Sequence, residues 1–162
     1  MKPGKLKTKT PEEKLTGVLL KKGKTIAFAE SCTGGLVSTR ITDIPGSSKS
    51  FLGSVVAYSN DIKISILGVE SSTIAKNGAV SAKTAREMAE GARLVLRSDV
   101  AAAITGIAGP GGASRGKPVG LAYMAFSSPG KNIVKKIMCK GERKDVKNKF
   151  ADALLSLAAE NI

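Results

Sequence analysis

The chain has 162 residues, 42% hydrophobic and 24% charged, the composition of one globular domain rather than a disordered chain. It contains no histidine, which excludes a Ser-His-Asp triad, a Cys-His pair and every histidine-containing metal site. The net charge of +13 sets up a field that draws anions, yet the lysines are scattered and aromatic residues reach only 4%, too few for single-strand nucleic-acid stacking.

Residues 1–10 read as a basic N-terminal extension, with no apolar segment of the kind a signal peptide carries. Nothing approaches the roughly eighteen apolar residues of a membrane span. Thr10 to Lys22 predicts a helix, with Thr10 as cap, Pro11 in the first turn and Gly23 at the end. Thr25 to Glu30 predicts a strand and Thr33 to Asp43 a helix broken by Pro45-Gly46. A strand over Val55 to Tyr58 and a short helix over Asp61 to Leu67 follow, then a brief extended piece ending at Val80. Ser81 caps a helix to about Leu96, and Val100 to Thr105 is a buried strand. Strands over Gly120 to Phe126 and Ile133 to Cys139, joined by SSPGKN, form a hairpin, and Asp145 to Ala159 is a closing helix.

This alternation predicts one α/β domain over residues 11–162, a three-layer α/β/α sandwich on a mixed, mainly parallel sheet. Ligands of such sheets gather at the carboxyl ends of the strands. Three turns satisfy that rule and should converge: SCTGG after the first strand, YSND after the second and TGIAGPGG after the central one.

Ser31, between a strand and a helix start, is read either as an N-cap or as a nucleophile, with Thr33, Gly34 and Gly35 supplying N–H groups to an oxyanion. Cys32 is the rival nucleophile, but no histidine is present to pair with it. Lys63 stands out: with Asn60 as cap of the following helix, a cation in the first turn opposes the dipole. Partial desolvation there would push its pKa toward that of a general base; the plainer reading is a lysine pointing to solvent. Tyr58 is placed to pass or donate a proton. Thr105, Gly106 and Gly109 open a glycine-rich loop able to surround an anionic or planar ligand. GGASRGKP approaches P-loop spacing, but Pro118 stands where Ser or Thr should hold magnesium, so that reading is rejected. Ser114 and Lys117 form an S-x-x-K pattern in a loop rather than on a helix, a weak signal. Cys32 and Cys139 lie far apart, as in a reduced, cytoplasmic protein.

AESCTGG, PGSSKSF, VVAYSNDIK, the GAVS turn and AITGIAGPGG, in this order, resemble the C-terminal domain of the competence/damage-inducible protein CinA, from about Pro11 onward. Active members of that family are nicotinamide-nucleotide amidohydrolases, the PncC group. The resemblance implies a form standing alone from the N-terminal CinA domain, a five- or six-stranded sheet and a homodimer. It implies hydrolysis of nicotinamide mononucleotide to nicotinic acid mononucleotide and ammonia, a step of pyridine nucleotide salvage, with no metal or cofactor. By the same resemblance Ser31 is the nucleophile, Lys63 its base and Tyr58 a supporting hydroxyl. Ser48, Asn60, Thr105 and Arg143 fall around the substrate, Arg143 toward its phosphate. Lys147 stands where many relatives carry a second arginine, and it lacks the bidentate fork. The competing reading is a non-catalytic nucleotide-binding module that kept the fold; a nucleic-acid role is weaker still.

Overall fold

In the computed structural model, which describes residues 8–162, the first helix, α1 (Pro11–Lys22), begins at a capping box. Thr10 accepts from the Glu13 N–H while the Glu13 side chain accepts from the Thr10 N–H, and Gly23 closes the helix in the left-handed conformation. Residues 1–7 of the basic extension lie outside the described residues. Next come β1 (Ile26–Glu30), α2 (Leu36–Thr42), a one-turn 3-10 helix (Ser47–Lys49) and β2 (Phe51–Val56). Three helices then follow in a row, α3 (Asn60–Ser65), α4 (Ser71–Asn77) and α5 (Ala82–Val95), before β3 (Val100–Gly106). The hairpin of β4 (Leu121–Ser128) and β5 (Lys131–Met138) leads to α6 (Arg143–Asn161).

The five strands lie in the order β2-β1-β3-β4-β5. β1 pairs in parallel with β2 and β3, and β4 pairs antiparallel with β3 and β5. Only β4 therefore runs against the common direction, and the sheet is mixed. Because side chains alternate along a strand, each face has its own character. Ile26 and Phe28 of β1, Ala102 and Ile104 of β3, and Met124 and Phe126 of β4 face α1, α2 and α6. The opposite face is paved with Ala27, Ala29, Ala101, Ala103 and Ala125, which let α5 lie close through Ala85, Met88, Ala89 and Ala92. The result is the expected α/β/α sandwich.

Close approach also explains Gly91 inside α5, where an alanine would otherwise favour the helix by about 1 kcal/mol. A Cβ there would stand 1.8 Å from the Leu67 carbonyl oxygen, so α5 and the turn after α3 would have to separate. Gly91→Ala is expected to destabilise the fold by about 2–4 kcal/mol. Gly17→Ala in α1, whose Cβ would meet nothing within 4 Å, is expected to stabilise by up to about 1 kcal/mol. Denaturant midpoints of the two variants check both signs.

Most boundaries move by a few residues from the sequence reading, and three differences matter more. β2 starts at Phe51 rather than Val55, with a register shift opposite Ile26 and Ala27. α2 starts at Leu36 rather than Thr33, because two successive left-handed glycines, Gly34 and Gly35, hold the chain out of the helix. α4 lies between Leu67 and Val80, where the sequence reading placed no helix.

Candidate active site

The chain leaves β1 to one side for β2 and returns across it to β3, so the order reverses at β1, where open α/β sheets form their crevice. A cavity of about 480 Å³ lies there. Ser31 and Cys32 enter it from the turn after β1, Tyr58, Asn60 and Lys63 from the segment after β2, and Gly106 to Gly112 from the loop after β3. The three turns singled out in the sequence thus meet at one place.

Lys63 is 1% exposed, and its Nζ donates to the Ala57 carbonyl at 2.7 Å and the Tyr58 carbonyl at 3.3 Å. Burial lowers its pKa from the ordinary value, a shift partly opposed by Cys32. Desolvation is the expected cause, whereas the expected cap and dipole are not what the fold supplies. The helix cap is Ser59 rather than Asn60, and a six-residue helix supplies little dipole. The side chain turns inward onto the last carbonyls of the β2 segment instead of pointing to solvent. Two donor positions of the amine are satisfied, which leaves one for the cavity that Lys63 lines. In the neutral amine that position is a lone pair.

Ser31 is buried and lines the same cavity, while its N–H donates to the Ile104 carbonyl at 3.1 Å. The β1–β3 ladder therefore continues to the serine and fixes its backbone. Cys32 is a different case: burial pushes its thiol up to about 12, with the Glu30 charge adding to the rise. It stays protonated near neutral pH and is no nucleophile.

Glu30 was not recognised in the sequence as part of the site. It is 0% exposed, and its carboxylate gathers the whole start of α2. One oxygen accepts from Thr33 Oγ1 at 2.8 Å, Gly35 N at 3.0 Å and Val37 N at 3.0 Å. The other accepts from Ser38 N at 2.9 Å and Ser38 Oγ at 2.6 Å, with Ser54 Oγ at 3.5 Å. The signal was present as an acid ending a strand just before a Gly-Gly helix start, where an anion satisfies free N–H groups.

The expected oxyanion floor is corrected accordingly. The Gly35 N–H is taken by Glu30 and the Gly34 N–H by the Ser31 carbonyl. Neither these residues nor Thr33 lines the cavity. Among the described residues the Cys32 N–H donates to no backbone oxygen, and Cys32 does line the cavity, so on this side of the cleft it is a backbone donor open to an oxyanion. The same holds for the N–H groups of Ala108, Gly109, Gly111 and Gly112 across the cleft.

Ser48 lies elsewhere. It sits exposed on the 3-10 turn leading into β2, at the opposite end of the parallel strands from the cavity. Thr105 lines the cavity, but its hydroxyl donates to the Ala79 carbonyl at 2.8 Å, tying β3 to the segment before α5. Gly106 is glycine for packing, since a Cβ would stand 2.6 Å from that of Ala122.

The family model of the CinA C-terminal domain matches residues 8–162. This chain belongs to the CinA C-terminal domain family. A competence-damage inducible protein of Caldanaerobacter subterraneus subsp. tengcongensis is 51% identical over 138 residues, covering 85% of this chain and 34% of that protein. A CinA-like protein of Kosmotoga olearia is 46% identical over 140 residues, covering 86% of this chain and 34% of that protein. The chain thus spans about a third of the length of these curated relatives. The crystal structure of a CinA superfamily protein from Enterobacter cloacae aligns with a TM-score of 0.89 at 33% identity, covering 94% of this chain and 92% of that one.

In this CinA domain the rim of the cavity is held by Arg143, the first residue of α6. Its guanidinium donates to the Gly109 carbonyl at 2.5 Å and to the Tyr58 hydroxyl at 3.2 Å. It thereby joins the glycine-rich loop to the turn after β2. Tyr58 is 63% exposed, so its hydroxyl is a rim group. Beyond Arg143 a second depression is lined by Leu36, Glu142, Lys144, Lys147 and Asn148, where the cations outnumber the one carboxylate. The CinA domain therefore presents a buried amine and a hydroxyl inside and cations outside. That polarity suits a neutral reacting group carried on an anionic tail.

Proposed function

We propose that this CinA domain hydrolyses the carboxamide of nicotinamide mononucleotide, giving nicotinic acid mononucleotide and ammonia. One observation carries the reading: Lys63, fully buried and held by two carbonyls, lines the same cavity as the hydroxyl-bearing Ser31. A desolvated amine is the base that a histidine-free chain can offer to a serine.

In the proposed sequence, Ser31 Oγ attacks the carboxamide carbon as its proton passes to the neutral amine of Lys63. The carbonyl oxygen becomes an oxyanion, received by the Cys32 N–H and by donors of the glycine-rich loop. Collapse breaks the C–N bond, and the leaving nitrogen takes the proton from Lys63 and departs as ammonia. Water then attacks the ester on Ser31, returning a proton through Lys63, and the acid is released. Thr105, already committed to Ala79, holds the cleft wall, while Tyr58 and Arg143 stand at its mouth to meet the ribose phosphate. A guanidinium has five donors, and two of its nitrogens are used within the chain, which leaves N–H groups for an anion.

Ammonia release from nicotinamide mononucleotide, nicotinamide riboside and free nicotinamide tests the reading. The mononucleotide is expected to exceed the riboside by about tenfold or more in kcat/KM, the worth of charge-assisted bonds to phosphate. No ammonia from any of the three would overturn it.

A further inference from the structure

We infer that Glu30 is a positioning residue for the reaction, fixing the Ser31 hydroxyl and the Cys32 N–H by clamping the turn that carries them. This rests on the serine-nucleophile reading above. The residue sits at the end of the central parallel strand, paired with Val56 on one side and Ile104 on the other, and its own carbonyl accepts from the Ala57 N–H at 2.8 Å. Its backbone is thus anchored in the sheet, while its side chain turns to the α2 face and accepts from backbone and side chains of residues 33–38. Residues 31–35 form a turn closed at both ends by one amino acid. Two of those residues have positive φ, 61° at Gly34 and 94° at Gly35, a path that wraps the backbone around the carboxylate.

Three features separate this role from ordinary helix capping. The carboxylate belongs to the residue directly before the proposed nucleophile, so any tilt of the clamp moves Ser31. It takes the Gly35, Val37 and Ser38 N–H groups and not that of Cys32, the residue of this turn that lines the cavity beside Ser31. Its two oxygens bond to residues 33–38 and to Ser54, while the Lys63 amine bonds to the Ala57 and Tyr58 carbonyls, so it holds the nucleophile's turn without touching the base.

Glu30→Gln keeps the shape but reverses one edge. With its oxygen toward Thr33, Gly35 and Val37, its NH2 meets the Ser38 N–H, two donors face to face. Steady-state ammonia release from nicotinamide mononucleotide is expected to show kcat down by about tenfold or more with KM within about threefold. The pH midpoint assigned to Lys63 should not move, and amide hydrogen exchange should quicken in residues 31–38 and not in β3 or β4. Thr33→Val and Ser38→Ala, which keep the carboxylate and remove one donor each, are expected to lose a few-fold in kcat, and they carry the test if Glu30→Gln does not fold. A kcat within twofold of wild type, a loss confined to KM, or a displaced pH midpoint would overturn the positioning role while leaving the amidase reading standing. If the wild type releases no ammonia, the amidase reading falls and the proposal, which depends on it, falls too. The exchange data then report separately whether Glu30 holds the turn.

Discussion

Ser31→Ala is expected to lower kcat for ammonia release by about ten-thousandfold or more, with KM and the unfolding midpoint close to wild type. Ser31 lines the cavity and is held in the fold through its backbone, whose N–H and carbonyl bond to Ile104 and Gly34, so loss of the hydroxyl leaves that framework in place. The backbone bond to Ile104 and the clamp from Glu30 do not involve the hydroxyl. A variant that stayed within tenfold of wild type would remove the serine from the mechanism. Water would then have to attack directly, activated by Lys63 alone. Trapping distinguishes the two routes, since an ester on Ser31 can be diverted by hydroxylamine to a hydroxamate or caught as an acyl adduct by mass measurement, and direct hydrolysis forms no adduct.

Lys63→Arg is expected to cost about a thousandfold in kcat, within the usual range for losing a general base. Arginine keeps the positive charge but does not give up its proton near neutral pH, and its larger head must find room where one amine touches two carbonyls. In the wild type, kcat/KM should rise with pH as Lys63 deprotonates, with a midpoint below the ordinary lysine value because burial disfavours the charged form. In the arginine variant that rise should vanish. Stability follows the same group with a definite sign. Between the depressed folded value and the unfolded value near 10.5, the unfolded chain binds a proton that the folded chain does not. Stability therefore rises with pH across that window, and the penalty is complete below it. A pH series of denaturant midpoints for wild type and variant checks the slope.

How much of this was legible in the sequence depends on whether the deciding forces are local. The start of α1 was readable because Thr10, Pro11, Glu13 and Gly23 settle it within one stretch of chain. The β4–β5 hairpin was readable because Pro129 and Gly130 separate an apolar run from a second strand that keeps Ile133, Val134 and Ile137 among its lysines. The convergence of three turns followed from strand polarity alone. β2 was misplaced because its first half, FLGS, is a strand by pairing with β1 rather than by composition. α4 escaped notice because SSTIAKN has no apolar stripe; it is held through Thr73, whose hydroxyl donates to Glu87 on α5 at 2.8 Å. The same distinction runs through the site. Lys63 was conspicuous, but its depressed pKa comes from burial, which only the folded chain shows. Glu30 looked like the end of a strand, and its partners became visible only when residues 33–38 were seen wrapped around it.

The first and last helices of the described chain pack against each other on the same face of the sheet, and the last of them brings Arg143 to the rim of the cavity. During synthesis, Ser31, Tyr58 and Lys63 leave the ribosome well before residue 143. Until α6 docks, the chain has one wall of its crevice missing, and Leu15, Leu19 and Phe28 lack the cover of Phe150, Leu154 and Leu155. A nascent chain that has not yet released residues 143–161 therefore lacks the rim of the pocket and the cover of that face of the sheet. Exposed apolar surface makes such a chain vulnerable to aggregation. Completion of the crevice rim and burial of that face of the core thus both depend on α6.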